Sequence, residues 1–311
     1  MKIWKYILKF LIIILLIFLI WQIILIILTI KENFRKIEYN PCDYKENLLN
    51  QRNRTIPRII HQMWKTKDLS TYPINNSQSE WIKYYPNYEI RLWTDKDIEE
   101  LFLKSEYKHL SNVYYSYIYS IQRSDLARLI ILHYSGGIYS DLDVFPCSKQ
   151  VEKLILTNYS FIIPLSTTSS SVINHFLLSE KSSPILYYIL DQVKPKRFYE
   201  KIILVPYLEV FSTGAFFLTR ILNQYIHLST DSKTSLGILS DIDVTKYVTH
   251  EMGRSWHLID GWILNLINDR PFLTFSLFSL FILFLYFIYK YSFLLTNISK
   301  QLLVNKYVQY D

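Results

Sequence analysis

Charge is in short supply in this 311-residue chain: Asp, Glu, Lys and Arg together make up 20%, against 50% hydrophobic residues. That balance is apolar for a soluble protein of this length. Cysteine is scarcer still. Cys42 and Cys147 are the only two, so the chain is not a small domain stapled by disulfides, and one bridge or two independent thiols are equally compatible with it. There is no repeat of convincing length, which argues against a solenoid. The formal net charge is +7, yet the basic residues are dispersed and no recognisable nucleic-acid module accompanies them, so nucleic acid is not an expected partner. A diffuse positive balance suits anionic lipid or phosphate-containing substrates.

The apolar excess is concentrated in two runs. Residues 10–30, FLIIILLIFLIWQIILIILTI, are interrupted by one strongly polar residue, Gln22, and are long enough to cross roughly 30 Å of hydrocarbon. A cleaved signal peptide is the competing reading. The run exceeds the usual signal core, and KENFRK follows it in place of a small-residue cleavage site, so a retained anchor is expected. The second run, residues 271–289, PFLTFSLFSLFILFLYFIY, lies uncharged between Arg270 and Lys290 and ends in aromatics, as a span meeting the interface does. A buried core helix is its alternative, because Ser and Thr dilute its first half.

Two spans place both termini on one side. Lys2, Lys5 and Lys9 precede the first, and Lys290, Lys300 and Lys306 follow the second, which favours cytosolic ends, with Lys31, Arg35 and Lys36 pulling the other way. The expected organisation is a cytosolic tail (1–9), a transmembrane helix (10–30), a linker (31–55), one globular domain (56–270), a second transmembrane helix (271–289) and a cytosolic tail (290–311). N-x-S/T triplets fall at Asn53, Asn75 and Asn158 in the middle region and at Asn297 on the last tail.

Within the domain, residues 58–64 read as a buried strand and 88–93 as a second. A helix is expected between them near 79–85. Thr94 and Asp97 form a capping-box pattern for a helix running to about Lys104. A further helix is expected over 118–133, closed by Gly136, and then a strand over Ile138–Phe145 ended by Pro146. Later strands are predicted at 161–164, 202–205 and 214–218, with helices at 183–191 and 219–227. Alternating helices and strands define an α/β sheet.

The chemistry centres on GGIYSDLDVF, residues 136–145. In a continuous strand, Asp141 and Asp143 share one face while Leu142 and Val144 point away. Paired carboxylates suit Mg²⁺ or Mn²⁺, ions that bridge protein oxygens to substrate phosphates and stabilise a diphosphate leaving group. Read alone, Asp125 and Arg128, three apart on one helical face, also fit a structural ion pair.

The strings IPRIIHQMWKT and SDLARLIILHYSGGIYSDLDVF together resemble glycosyltransferase family 32, whose sugar-binding region carries a D-x-D motif. The family includes yeast initiating α-1,6-mannosyltransferases and catalytic subunits of inositol phosphoceramide mannosyltransferase. The resemblance implies a GT-A-like fold, a nucleotide-sugar donor and retention of anomeric configuration. It implies Asp143 as the more direct metal ligand, with Asp141 on sugar or ribose and reaching the metal through water. Asp125 would meet sugar hydroxyls and Arg128 the sugar or diphosphate. Gly136 and Gly137 would let the chain pass close to the ligand, beside Tyr139 of the same motif. His61 and Trp64 would edge the nucleotide, the alternative being a core histidine and a packing tryptophan.

THEMGRSWH, residues 249–257, resembles an H-x-x-G-x-x-W arrangement of retaining GT-A enzymes, with His250, Gly253 and Trp256 matching it. His250 would complete the metal site, with His257 as competitor, and Arg254 would meet the diphosphate. Ser212, Thr213 and Gly214 resemble the family's middle Gly-containing segment near the acceptor, and Glu209 is a candidate acceptor-site carboxylate. The expected activity is transfer of mannose from GDP-mannose to an inositol phosphoceramide-type sphingolipid with Mn²⁺ or Mg²⁺. Initiating glycan mannosylation, and UDP-galactose or UDP-glucose as donor, remain alternatives. A regulatory membrane subunit and a Golgi or other secretory-pathway membrane, with the domain luminal, are the implied setting.

Overall fold

The computed structural model describes residues 56–72, 75–166, 171–195, 213–228, 236–251 and 270, with scattered positions within 6–24 and 272–291. The chain divides into two compact units, Met1–Trp256 and His257–Asp311. Most of both apolar runs lies outside the described residues, and among the described residues no helix is long and apolar enough to cross a membrane. Members of the runs that are described, such as Phe10, Ile17, Trp21, Phe272 and Phe275, are helical and exposed.

Eight strands are described in the first unit: β1 (Ile59–Met63), β2 (Glu89–Trp93), β3 (Gly137–Ser140), β4 (Val144–Pro146), β5 (Phe161–Pro164), β6 (Phe176–Ser179), β7 (Leu236–Leu239) and β8 (Val248–His250). The helices are α1 (Gln78–Tyr84), α2 (Asp95–Leu101), α3 (Ser111–Ser116), α4 (Ser120–Ser135), α5 (Val151–Ile155), α6 (Pro184–Asp191), α7 (Ala215–Leu228) and α8 (Asp241–Val244). The main sheet runs β2-β1-β3-β6-β5-β7, and β4 and β8 form a separate antiparallel pair. β1 is parallel to both β2 and β3, β6 is antiparallel to β3 and β5, and β7 is parallel to β5.

Strand side chains alternate between two cores, as a period of two requires. Tyr139, Phe161, Ile163, Leu177 and Ile238 pack with α4, α6 and α7 through Leu129, Ile185 and Leu218. Ile60, Ile138, Ile162, Phe176 and Leu178 join Trp81 of α1 and Val151 and Leu154 of α5 on the other face. The result is a sheet with helices on both sides, an α/β architecture.

Local chemistry explains most boundaries. The Thr94 side chain accepts from the Asp97 N–H, and the Asp97 carboxylate accepts from the Thr94 N–H, so α2 starts at the expected capping box. α4 ends at Gly136, whose φ of 66° lies in a region favouring glycine.

Two expected elements differ. The strand predicted over Ile138–Phe145 is interrupted: the Val144 N–H donates to the Asp141 carbonyl at 3.0 Å, a turn that moves the chain from β3 in the main sheet to β4 in the small one. The strand predicted over Gly214–Leu218 is instead the start of α7. There Phe217, Leu218, Ile221 and Leu222 are buried at helical spacing, and the continuing helix overrides the local β-favouring aromatics. The strand expected at 202–205 and the linker at 31–55 lie outside the described residues. β6, β7 and β8, of three or four residues each, were not among the predicted strands.

Candidate active site

The DLD segment sits on the turn between β3 and β4. Leu142 is 3% exposed and anchors the turn inward, while its carbonyl accepts from the Ser77 N–H at 2.7 Å. The aspartates are therefore presented by a turn pinned at its middle residue, rather than by strand alternation.

Beneath Asp141 lies a buried network. The Tyr139 hydroxyl donates to Asp141 Oδ1 at 2.7 Å, and Arg128 Nη1 donates to Asp141 Oδ2 at 3.2 Å. Tyr139 is brought there by β3 and Arg128 by α4, and the guanidinium lies 5.0 Å from the Tyr139 ring centroid. Arg128 Nη1 also donates to the Asn174 carbonyl at 2.7 Å, Nε reaches the Ser124 carbonyl at 3.3 Å, and Nη2 is 3.4 Å from Asp125 Oδ1. Asp125 accepts from Asn174 Nδ2 at 2.8 Å and from Thr213 Oγ1 at 3.2 Å.

Exposure separates the roles. The side chains of Arg128 and Asp125 are 3% and 5% exposed, whereas that of Asp141 is 29% exposed. Burial pushes Asp125 up to about 6, against the pull of Arg128 and its two hydrogen bonds. Burial also raises Asp141, opposed by Arg128 and reinforced by the neighbouring Asp143 charge. Burial disfavours the charged form of Arg128, but Asp141, Tyr139 and Asp125 outweigh it and keep the guanidinium ionised. Asp141 is thus the accessible end of a chain of charge whose other members are inside. Asp125, expected on sugar hydroxyls, lies inside the protein, with each of its oxygens accepting a hydrogen bond from a neighbouring side chain.

His250 reaches the site because β8 pairs with β4, setting His250 opposite Val144. Its Nε2 is 3.4 Å from Asp143 Oδ2, and the Glu251 N–H donates to the Asp143 carbonyl at 2.8 Å. Burial lowers the basicity of His250, but the Asp143 hydrogen bond and the charges of Asp143 and Asp141 more than offset it, leaving its pKa raised. Against His250 lies His175, with ring centroids 4.3 Å apart and planes 19° from parallel. Burial and then the His250 charge push His175 down to about 3, so it is the neutral ring of the pair.

His61 is inside the sheet, fully buried. Its Nε2 is 2.8 Å from the Gly136 carbonyl, and its Nδ1 accepts from Trp93 Nε1 at 3.0 Å, so the partners assign the proton to Nε2. Burial pushes its pKa down to about 4. Its place is the core-histidine alternative of the sequence rather than a ligand-facing edge. The glycines serve the same packing: a Cβ on Gly137, at φ 104°, would lie 2.5 Å from the Ile59 carbonyl oxygen, and one on Gly136 2.6 Å from the Lys181 nitrogen. What passes close to them is the protein's own backbone.

Trp64 is half-buried, donates through Nε1 to Thr71 Oγ1 at 2.7 Å, and meets Tyr72 edge-on at 4.8 Å. Burial, then the charges of Asp143 and Asp141, raise the pKa of Tyr72. Sequence reasoning missed Tyr72, Asn174 and His175. The adjacent polar pair Asn174-His175, at the edge of the apolar run that becomes β6, was the available signal. Gly253, Arg254, Trp256 and His257, together with Glu209 and Ser212, lie outside the described residues.

Among the described residues no group of three or more His, Cys, Asp or Glu is arranged to hold a metal ion. The Asp143 carboxylate and the His250 imidazole supply an oxygen and a nitrogen side by side. Two protein donors fit an ion of the Mg²⁺ or Mn²⁺ type that leaves its remaining positions to substrate phosphates and water. Each oxygen of Asp141 accepts one hydrogen bond from the protein, which leaves lone pairs on both for a further contact.

Residues 73–162, which contain this turn and its arginine, match the family described as "Glycosyltransferase sugar-binding region containing DXD motif". Inositol phosphoceramide mannosyltransferase 1 of Schizosaccharomyces pombe is 31% identical over 71% of this chain and 69% of its own length. Inositol phosphoceramide mannosyltransferase 3 of the same yeast is 30% identical over 75% of this chain and 65% of its own. A mannosyl phosphorylinositol ceramide synthase of Saccharomyces cerevisiae is 32% identical over 66% and 54%. The chain belongs to this family of DXD-containing glycosyltransferases. It spans less than two thirds of the length of the latter two relatives.

Proposed function

We propose that this chain is a metal-dependent, retaining mannosyltransferase of GT-A-like fold that moves mannose from GDP-mannose to a sphingolipid acceptor of the inositol phosphoceramide type. The observation that carries the reading is the Asp141–Arg128 contact beneath the DLD turn, with Asp143 and His250 beside it at 3.4 Å. The names of the relatives support the sugar and the acceptor.

Asp143 and His250 would hold the divalent cation, Mn²⁺ or Mg²⁺. When bound, that ion supplies positive charge that stabilises the departing diphosphate. Arg128, kept charged by its buried partners, fixes the Asp141 carboxylate so that its open side orients the donor sugar. Tyr139 holds the second oxygen of Asp141 by donating its hydroxyl proton to it. Such a site costs no reorganisation at the moment of transfer, which favours a short-lived oxocarbenium-like species attacked on the face the leaving group vacates. The acceptor hydroxyl meets that face with Thr213 nearby, already tied to Asp125, and its proton passes to the departing phosphate oxygen as the new glycosidic bond forms.

In this reading the two apolar runs anchor the chain in a Golgi or other secretory-pathway membrane, beside a regulatory membrane subunit. The domain is luminal, and tethering raises the local concentration of lipid acceptor. The test is a donor and acceptor screen on the full chain with Mn²⁺ and Mg²⁺, the product anomer being read by NMR. Mannosylation of inositol phosphoceramide from GDP-mannose with retention is expected. Extension of a glycan, or preference for UDP-galactose or UDP-glucose, overturns the acceptor or donor assignment respectively.

A further inference from the structure

His175 touches both halves of the DLD turn's surroundings and was not suggested by any motif. Its carbonyl accepts from the Asp141 N–H at 2.9 Å, and its ring lies against His250, which faces Asp143. The geometry of the ring pair decides what His175 does. An imidazole nitrogen binds a cation through a lone pair lying in the ring plane, so two rings stacked 4.3 Å apart and 19° from parallel do not aim at one ion. A second ligand is therefore excluded by orientation, in keeping with the lack of any three-donor group among the described residues.

Stacking leaves another role. β8 has three residues, pairs among the described residues with β4 alone, and has His250 at its last position. Asp143 meets His250 at one ring atom, Nε2, which leaves the tilt of the ring to whatever lies against its face, and His175, on that face, directly precedes β6 in the main sheet. We propose that His175 is a positioning residue whose ring sets the plane of His250, so that Nε2 stays directed to the cation site beside Asp143. This rests on the reading of His250 as a metal ligand. Because the contact is face to face, the requirement is for a flat ring, and phenylalanine satisfies it while alanine does not.

The test is Mn²⁺ binding to the full chain, followed by electron paramagnetic resonance without donor, for the wild type, His175→Ala, His175→Phe and His250→Ala. Loss of a group that orients a ligand typically weakens metal affinity by about 10-fold to 100-fold, so His175→Ala is expected to bind Mn²⁺ about tenfold more weakly, and His175→Phe within about twofold of wild type. Binding by His175→Ala equal to wild type, while His250→Ala loses it, overturns the positioning role alone. His175→Phe as weak as an alanine variant overturns it too, and remains decisive if His175→Ala fails to fold. Unchanged Mn²⁺ affinity in His250→Ala overturns the ligand reading and the inference together.

Discussion

Asp143 and Arg128 are separated by what each leaves behind when removed. Asp143→Ala takes away the carboxylate facing His250 but strands no buried cation, so the loss falls on chemistry. We expect kcat to fall by at least about 100-fold, as for loss of one preorganised charge-stabilising group, with thermal stability little changed. Assay and melting curve on the same preparation check this. Arg128→Ala strands Asp125 and Asp141 without their shared cation, and breaking such a buried pair costs about 3–5 kcal/mol, so its chemical unfolding midpoint should drop sharply. His61 gives a pH signature. Its folded pKa is near 4 against an ordinary 6.5, so the unfolded chain binds the proton that the native chain refuses. Stability is complete above 6.5 and falls as pH decreases, by about 2 kcal/mol at about pH 5 and about 3 kcal/mol at about pH 4. His175 adds to this slope and Asp125, raised to about 6, opposes it, so the slope of the unfolding midpoint between about pH 7.5 and about pH 5 should be less acid-destabilising in His61→Gln than in the wild type, by the His61 share alone. The acidic pair, its arginine and the histidine were legible as residue types. That Asp125 and His61 are inside was not, because burial depends on strands and helices distant in sequence.

At the scale of the element, Gly137 carries the sheet. Its φ of 104° and the 2.5 Å separation of a built Cβ from the Ile59 carbonyl oxygen mean that Gly137→Ala forces β3 away from β1. Strain and lost pairing together should destabilise the domain by more than about 1 kcal/mol, read as a lowered unfolding midpoint. Activity should fall with it, since β3 delivers Tyr139 and the DLD turn. The capping box at Thr94 and the glycine stop at Gly136 were readable because their causes are local. The break after Ser140 was not, because the apolar and polar residues of Ile138–Phe145 alternate as in one strand. What ends β3 is the availability of β8, about a hundred residues later, as a partner for β4. α7 was half-read for the opposite reason: FFL favours a strand locally, and only burial along the whole helix decides.

For the whole molecule, the proposed topology makes a claim that the acceptor triplets can test. If both apolar runs span, their lysine-rich outer flanks would put the middle domain on one side of the membrane and both tails on the other. Asn75 is exposed on the domain, beside Ser77 at the start of α1, whereas Asn297 follows the second run. A luminal domain should therefore carry glycan at Asn75, and Asn297 should carry none. Expressed in a eukaryotic secretory system, the full chain should sediment with membranes after alkaline carbonate and shift on endoglycosidase treatment. Asn75→Gln should remove one increment of that shift and Asn297→Gln none. Glycan at Asn297 would invert the orientation, and it would also separate the DLD turn from a luminal supply of donor. Topology and donor access thus stand or fall together, because a catalytic domain is useful only on the face of the membrane where its nucleotide sugar and its lipid headgroup are both present.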